Sequence, residues 1–223
     1  MHIPRTFKQA DSDKLKALIV KYPLATLISY SDAGLEANHI PFIFDNAQGV
    51  DVLQGHVAKA NKVWKKLSYN NSDNDSDNNK NNADVLLVFS GPNGYISPNH
   101  YPTKQRTGRA VPTWNYVTVH VKGSLKCIHD DAWILSHITK LSDQHEAGQP
   151  NPWSVNDAPP EYIQKMLPAI VGLELEIVSI TGQWKVSQNQ PHENQLGVIS
   201  GLVDEGGFES LAMADLVSQY VEN

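Results

Sequence analysis

From Val117 to Cys127 the chain alternates: Val117, Val119, Val121, Leu125 and Cys127 share one parity, and Thr118, His120, Lys122, Ser124 and Lys126 share the other. A period of two over this length marks a strand with one face in a core and one toward solvent, the habit of antiparallel sheets. Just upstream, Pro112 cannot donate a ladder hydrogen bond, so the strand is expected to start beyond it. Trp114 and Asn115 then stand at the strand's beginning, where they can face a planar ligand.

The rest of the chain reads as strands with helices outside them. Asp11 or Ser12 is placed to cap a helix presenting Leu15, Leu18, Ile19 and Tyr22, with Pro23 ending it. Leu24 to Tyr30, Leu35 to Phe44 and Val50 to His56, joined by short turns at Ser31 to Gly34 and Asp45 to Gly49, predict a three-stranded antiparallel meander. Pro41 places an edge or bulge in its second strand and frees nearby backbone for a ligand. Ala83 to Phe89 reads as a buried strand punctuated by turn chemistry at Ser90 to Gly94. Helices are expected from Asp130 or Asp131 to about His145 and from Glu161 to Leu167. Between Val171 and Ile177 a closing strand turns Gly172, Glu174 and Glu176 to one side and Val171, Leu173, Leu175 and Ile177 to the other. The tail, residues 191–223, reads as a helical extension with an apolar stripe of Leu211, Leu216 and Tyr220. The class is α+β: a small antiparallel barrel in one domain, 1–223, with helical appendages.

Residues 70–82 contain no apolar side chain, cannot offset the entropy of ordering by burial, and read as a flexible insertion. Asp73, Asp75 and Asp77 imitate the start of a calcium loop but lack its glycine and closing glutamate. The single Cys127 excludes an internal disulfide and fits a reducing cytoplasm. Leu15 to Leu27 is broken by Lys21, Tyr22 and Pro23, so neither a signal-peptide core nor a membrane span is expected there. A net charge of −6 disfavours nucleic acid as a bulk partner. The cluster Lys104, Arg106 and Arg109 is a weak local candidate for an anion. No GxGxxG, Walker loop, HExxH, nucleophile elbow or paired-cysteine spacing is present. His137 and His145, eight apart, do not make a metal pair, and no metal is expected.

Polar and aromatic residues gather at strand ends: Asn38-His39-Ile40-Pro41-Phe42, Gly55-His56-Val57-Ala58-Lys59-Ala60-Asn61, Pro112-Thr113-Trp114-Asn115-Tyr116, and Trp184-Lys185-Val186-Ser187-Gln188-Asn189. In the second, a strand passes into a helix near Asn61, so backbone N–H groups and the Lys59 ammonium can converge on a phosphate. Together with Gly91-Pro92, Tyr95 to Pro98 and Ala169 to Gly172, these clusters make the chain resemble the PaiB family of FMN-binding negative transcriptional regulators, in the flavin-binding split-barrel superfamily. The resemblance implies a homodimer of six-stranded split barrels with two FMN sites at the subunit interface. It implies that His39, Ile40, Pro41 and Phe42 lend backbone to the flavin and that His56, Lys59 and Asn61 hold the phosphate. Trp114, Asn115, Lys185, Ser187 and Gln188 would then complete the pocket from the partner subunit. The chain departs from the family's pattern at Lys62, where a proline often stands, at His100, where an aromatic is usual, and at Gln190, where a basic residue is expected.

Four functions stay open on this reading: a regulator, an FMN-dependent oxidoreductase using NAD(P)H on a small molecule, a flavin carrier without turnover, and a haem-binding split barrel. The acidic C-terminal helices argue against direct DNA reading. No catalytic residue is assigned, although His39 and His120 are candidate proton donors by type.

Overall fold

The meander forms because its turns carry the residues that tight reversals require. Gly34 and Gly49 sit at φ 98° and 88°, in the left-handed region that costs a side-chain-bearing residue 1 kcal/mol or more, roughly. Asn46 Oδ1 closes the second turn by accepting from the Gly49 N–H at 2.9 Å. The computed structural model describes residues 1–31, 34–47, 49–69 and 82–221. The Asn/Asp-rich stretch thus lies outside the described residues, apart from Asn82.

In chain order the elements are β1 (Lys8–Gln9), α1 (Ser12–Lys21), β2 (Leu24–Ser31), β3 (Gly34–Ala47), β4 (Val50–Ala58), α2 (Val63–Tyr69), β5 (Asn82–Ile96), α3 (Pro102–Thr107), β6 (Thr113–Ile128), α4 (Asp131–Glu146), α5 (Pro160–Met166), β7 (Ile170–Lys185), α6 (His192–Glu205) and α7 (Phe208–Ser218). Hydrogen-bonded neighbours run β1-β7-β4-β3-β2-β5-β6, and β7 also pairs with β6, so β2 to β7 form a ring of six and β1 is an addition on β7. The β2–β3, β3–β4, β4–β7, β2–β5 and β1–β7 pairs are all antiparallel. This is the α+β, six-stranded class expected from the sequence.

The chain folds as two compact units, each assembled from separated stretches. One, residues 19–88 and 121–180, holds the meander, α2, α4 and α5. Leu27, Phe42, Leu53, Leu87, Leu173 and Leu175 are fully buried in it. Its sheet is covered on the other face too. Asp130 caps α4 by accepting from the Trp133 N–H at 2.7 Å, and Trp133 of that helix lies where a Cβ on Gly172 would be, 2.3 Å from its ring. The other unit, residues 1–18, 89–120 and 181–223, holds β1, α3, α6 and α7, with Phe89, Ile96, Val119, Val186, Val198, Leu202 and Met213 wholly buried.

Four expectations change. Ser90 to Gly94 makes no turn: β5 runs straight through to Ile96. Gly91 is there for close approach, since a Cβ would stand 2.5 Å from Val117 Cγ2. Gly172 and Glu174 do not face solvent, because α4 covers the parity that they share with Glu176; only Glu176 is exposed. The buried face of α7 is Met213, Ala214 and Val217, while Leu211 is 48% exposed. Pro41 is not on a sheet edge; it stands where β3 changes partner, pairing with Leu24 of β2 just before the ladder to β4 begins at Phe42.

Candidate functional site

That change of partner creates an opening. Residues 34–41 of β3 pair with β2, residues 42–47 pair with β4, and β4 beyond Gly55 pairs with β7 alone among the described residues. The two central strands therefore part at Pro41 and His56. The Phe42 N–H donates to Pro23 O at 3.0 Å. By the alternation of an antiparallel ladder, even-numbered residues of β3 then turn their backbone groups toward β2, and Ala37 and His39 turn theirs into the opening. Of the four residues expected to lend backbone, His39 thus offers both an N–H and a C=O, and its side chain is exposed. Ile40 and Phe42 bury their side chains and face β2, and Pro41 has no N–H to offer.

On the β4 side of the opening, Lys59 is held by its backbone: its N–H donates to Ala169 O at 2.8 Å, and its C=O accepts from Trp64 Nε1 at 3.1 Å. Its ammonium is exposed and has no partner among the described residues. Asn61 bridges the parting strands, donating from Nδ2 to Asn38 Oδ1 at 2.9 Å, and it caps α2 by accepting from the Val63 N–H at 3.1 Å. Its side chain is therefore a brace for the opening. Lys62 and Lys65 are exposed nearby in sequence, and Lys66 pairs with Glu36, whose carboxyl it holds below the usual range. An acidic chain thus concentrates positive charge on one short stretch, residues 59–66.

His56 does not stand alone. Its Nδ1 lies 3.1 Å from Nε2 of His137, the rings meet edge to face, and His137 stacks on Trp133 at 5.4 Å with 18° between planes. His137 is fully buried, and its Nδ1 has no partner. Burial, then the nearby His56 and Lys140, push the His137 pKa down to about 4; burial also lowers that of His56. Both rings are neutral at pH 7, so one must donate to the other. If His56 donated, His137 would bury an unsatisfied N–H. If His137 donates, it buries only a bare lone pair, the smaller penalty, and the His56 proton sits on Nε2, the nitrogen left outside the pair. His56 then presents a fixed N–H donor. Behind it, buried Glu174 accepts from Gln54 Nε2 at 2.8 Å and pairs with Lys126 at 2.6 Å.

The other unit arranges its cluster differently. Trp114 is 54% exposed and meets Tyr95 edge to face, whereas Asn115 is 1% exposed and cannot face a ligand beside it. Asn115 Nδ2 instead donates to Ser187 Oγ at 2.9 Å. Ser187 carries φ 65°, rare for a residue with a Cβ. Gln188 folds back onto its own turn, accepting from the Val186 N–H at 2.8 Å and donating to Trp184 O at 2.6 Å. Lys185 donates to Trp114 O at 2.6 Å and to Thr113 Oγ1, and burial lowers its pKa. The motif builds the bend between β7 and α6, and it leaves Trp114 as its outward aromatic plane.

Two further candidates have these surroundings. The stretch from Lys104 to Arg109 is helical as far as Thr107, in α3, and both nitrogens of the Arg106 fork are taken by Glu193, at 2.8 and 2.5 Å. His120 is half-buried in β6. Trp133, and the pairing of His137 with His56, escaped the sequence reading. Trp133, His137 and Lys140 do follow helical spacing along one face of α4, a visible signal, but nothing in the sequence tied that face to His56.

FMN needs donors for a phosphate, and an extended backbone edge for the hydrogen-bonding rim of its ring. Lys59, the His56 N–H and the His39 edge fit that need. A ring of six strands with such an opening defines the class of split-barrel flavoproteins. A family model described as "Putative FMN-binding domain" matches residues 1–179, and the chain belongs to this FMN-binding family, whose cofactor is FMN. It is 30% identical to an uncharacterized protein of Emericella nidulans, over 98% of this chain and 97% of that one. It is 26% identical to the Bacillus subtilis protein named Protease synthase and sporulation protein PAI 2, over 97% and 96%. The fold is shared with the flavocytochrome Anf3 of Azotobacter vinelandii at a TM-score of 0.55 and 17% identity, covering 82% of this chain and 72% of that one. Among the described residues no helix is long and apolar enough to cross a membrane.

Proposed function

We propose that this protein is a homodimeric FMN-binding regulator of the PaiB type, holding the flavin in the opening between β3 and β4. The single observation behind this reading is the free backbone edge at His39 facing the opening that Lys59 and the His56 N–H border. His39 lines the ring's polar rim, and Lys59 and His56 hold the phosphate. Trp114 of a second protomer closes the pocket. Bound FMN supplies hydride or electron transfer, and the protein supplies position and electrostatics. The regulatory part draws support from the name of the Bacillus relative. It does not rest on a DNA-reading helix: residues 186–223, which include α6 and α7, contain no Lys or Arg, and Glu193, Asp204, Glu205, Glu209 and Asp215 lie there. Regulation then acts through a partner that senses the flavin.

Flavin fluorescence titration tests the site. Lys59→Ala removes a charge-assisted contact, expected to weaken FMN binding by about 1.5 to 3 kcal/mol, roughly tenfold to more than a hundredfold. Equal affinity in wild type and variant would reject the site. A monomer by light scattering at saturating FMN would reject the shared pocket. Rapid anaerobic bleaching of the flavin by NADH or NADPH would replace the regulator with the oxidoreductase, and a Soret band in the purified protein would replace FMN with haem.

A further inference from the structure

The unit formed by residues 1–18, 89–120 and 181–223 carries a half-open cavity of about 380 Å³, within the size range of small-molecule sites. Six of its nine lining residues lie beyond residue 179, outside the part of the chain that matches the FMN-binding family. It uses neither His39, His56 nor Lys59.

The hydrogen bonds around it leave several donors unspent, beside one amide acceptor: Gln195 gives its Nε2 to Ser187 O at 3.2 Å and keeps its carbonyl. Tyr220 accepts from Gln9 Nε2 at 2.8 Å, which leaves its own O–H to give, and Gln9 Oε1 is already taken by the Asp11 N–H at 2.9 Å. Gln190 spends its carbonyl on Asn194 Nδ2 at 3.2 Å and keeps its amide N–H groups. Trp184 is 5% exposed, yet its indole N–H has no acceptor among the described residues. Lys8 and His192 are exposed in the lining, also without a partner among them. The one carboxylate in the first turn of α6, Glu193, is held by Arg106. Donors left over toward a cavity can be met by a guest that brings acceptors, so the lining favours an acceptor-rich one. Two aromatic side chains, Trp184 and Tyr220, and one ammonium narrow it further.

From this we infer that the cavity binds a small, flat organic acid, its carboxylate at Lys8 and its body against Trp184 and Tyr220. The guest is distinct from the flavin, so the site stands or falls independently of the FMN reading.

Indole N–H signals in ¹H–¹⁵N NMR, with Trp184 assigned through Trp184→Phe, provide the test, with benzoate as the probe. Benzoate is expected to shift the Trp184 signal saturably, with a Kd on the order of 1 mM. Benzamide, equal in shape and uncharged, is expected to bind about tenfold more weakly, as is benzoate to Lys8→Gln. Tyr220→Phe is expected to weaken benzoate severalfold while the protein's thermal unfolding stays cooperative. Lys59→Ala, which weakens FMN, is expected to leave benzoate affinity unchanged. A linear, unsaturable shift, or equal binding by Lys8→Gln, would overturn the site. Inorganic phosphate matching benzoate would overturn the flat-body requirement, and competition between FMN and benzoate would make the cavity part of the flavin site and overturn its independence.

Discussion

Both compact units bury polar side chains around a strand end, and they use them in opposite ways. Around His56 the buried groups pair with their neighbours, Gln54 with Glu174 and His137 with His56 and the half-buried Trp133, and the Lys59 ammonium and the His39 backbone edge stay without a partner among the described residues. Around Ser187 the polar groups consume one another: Asn115 on Ser187, Lys185 on Trp114 O, Gln188 on its own turn. Two clusters that look alike in sequence thus do different work. What separates them is whether each donor finds an acceptor inside the fold, since a satisfied group has little left for a ligand.

The largest test is acid stability. The folded His137 pKa is about 4 and the ordinary value 6.5, so as pH falls through that window the unfolded chain takes up a proton that the folded chain refuses. Stability from this group is whole above pH 6.5 and drops on the acid side by on the order of 3 kcal/mol by pH 4, with His56 acting in the same direction. Urea unfolding at pH 7 and near pH 4.5 measures it; His137→Gln should flatten the difference. An unchanged slope in the variant would mean that the histidine pair is not the backing of the opening.

Next in size is Gly172→Ala, whose new methyl meets the Trp133 ring and should cost about 1 to 3 kcal/mol in the same assay. It should also weaken FMN, because α4 and His137 shift with Trp133. Ser187→Ala leaves the buried Asn115 amide without its acceptor and should cost about 1 to 2 kcal/mol. Its effect on FMN affinity should be slight under conditions where the variant is folded. A large loss of flavin binding there would turn the Ser187 cluster from scaffold into ligand site and break the comparison. The smallest effect belongs to Glu193→Gln, an exposed ion pair with Arg106, where the thermal midpoint should not move measurably.

Much of the fold was legible along the chain. The β2–β3–β4 meander follows from period-two runs between glycine turns, and β6 from its alternation, because these signals are local and each strand needs only its own pattern to show a buried face. Where the reading failed, a distant segment had intervened. Gly91 looks like turn chemistry until Val117 comes against it, and Glu174 looks solvent-facing until α4, some thirty to forty residues earlier in sequence, lies across it. The stripe on α7 went wrong for a simpler reason: Leu211 and Leu216 are apolar, but five residues apart they do not share one helical face.

Residue types at strand ends, read alone, were enough to establish the strand pattern, the kinds of group available and the resemblance to a flavin-binding family. They could not say which of those groups would be left over. Hydrogen bonds saturate, and the acceptor that silences Asn115 lies 72 residues away, as the ring that orients His56 lies 81 away. Only the folded chain, by bringing such partners within about 3 Å, decides which polar side chain is spent on structure and which remains for a ligand.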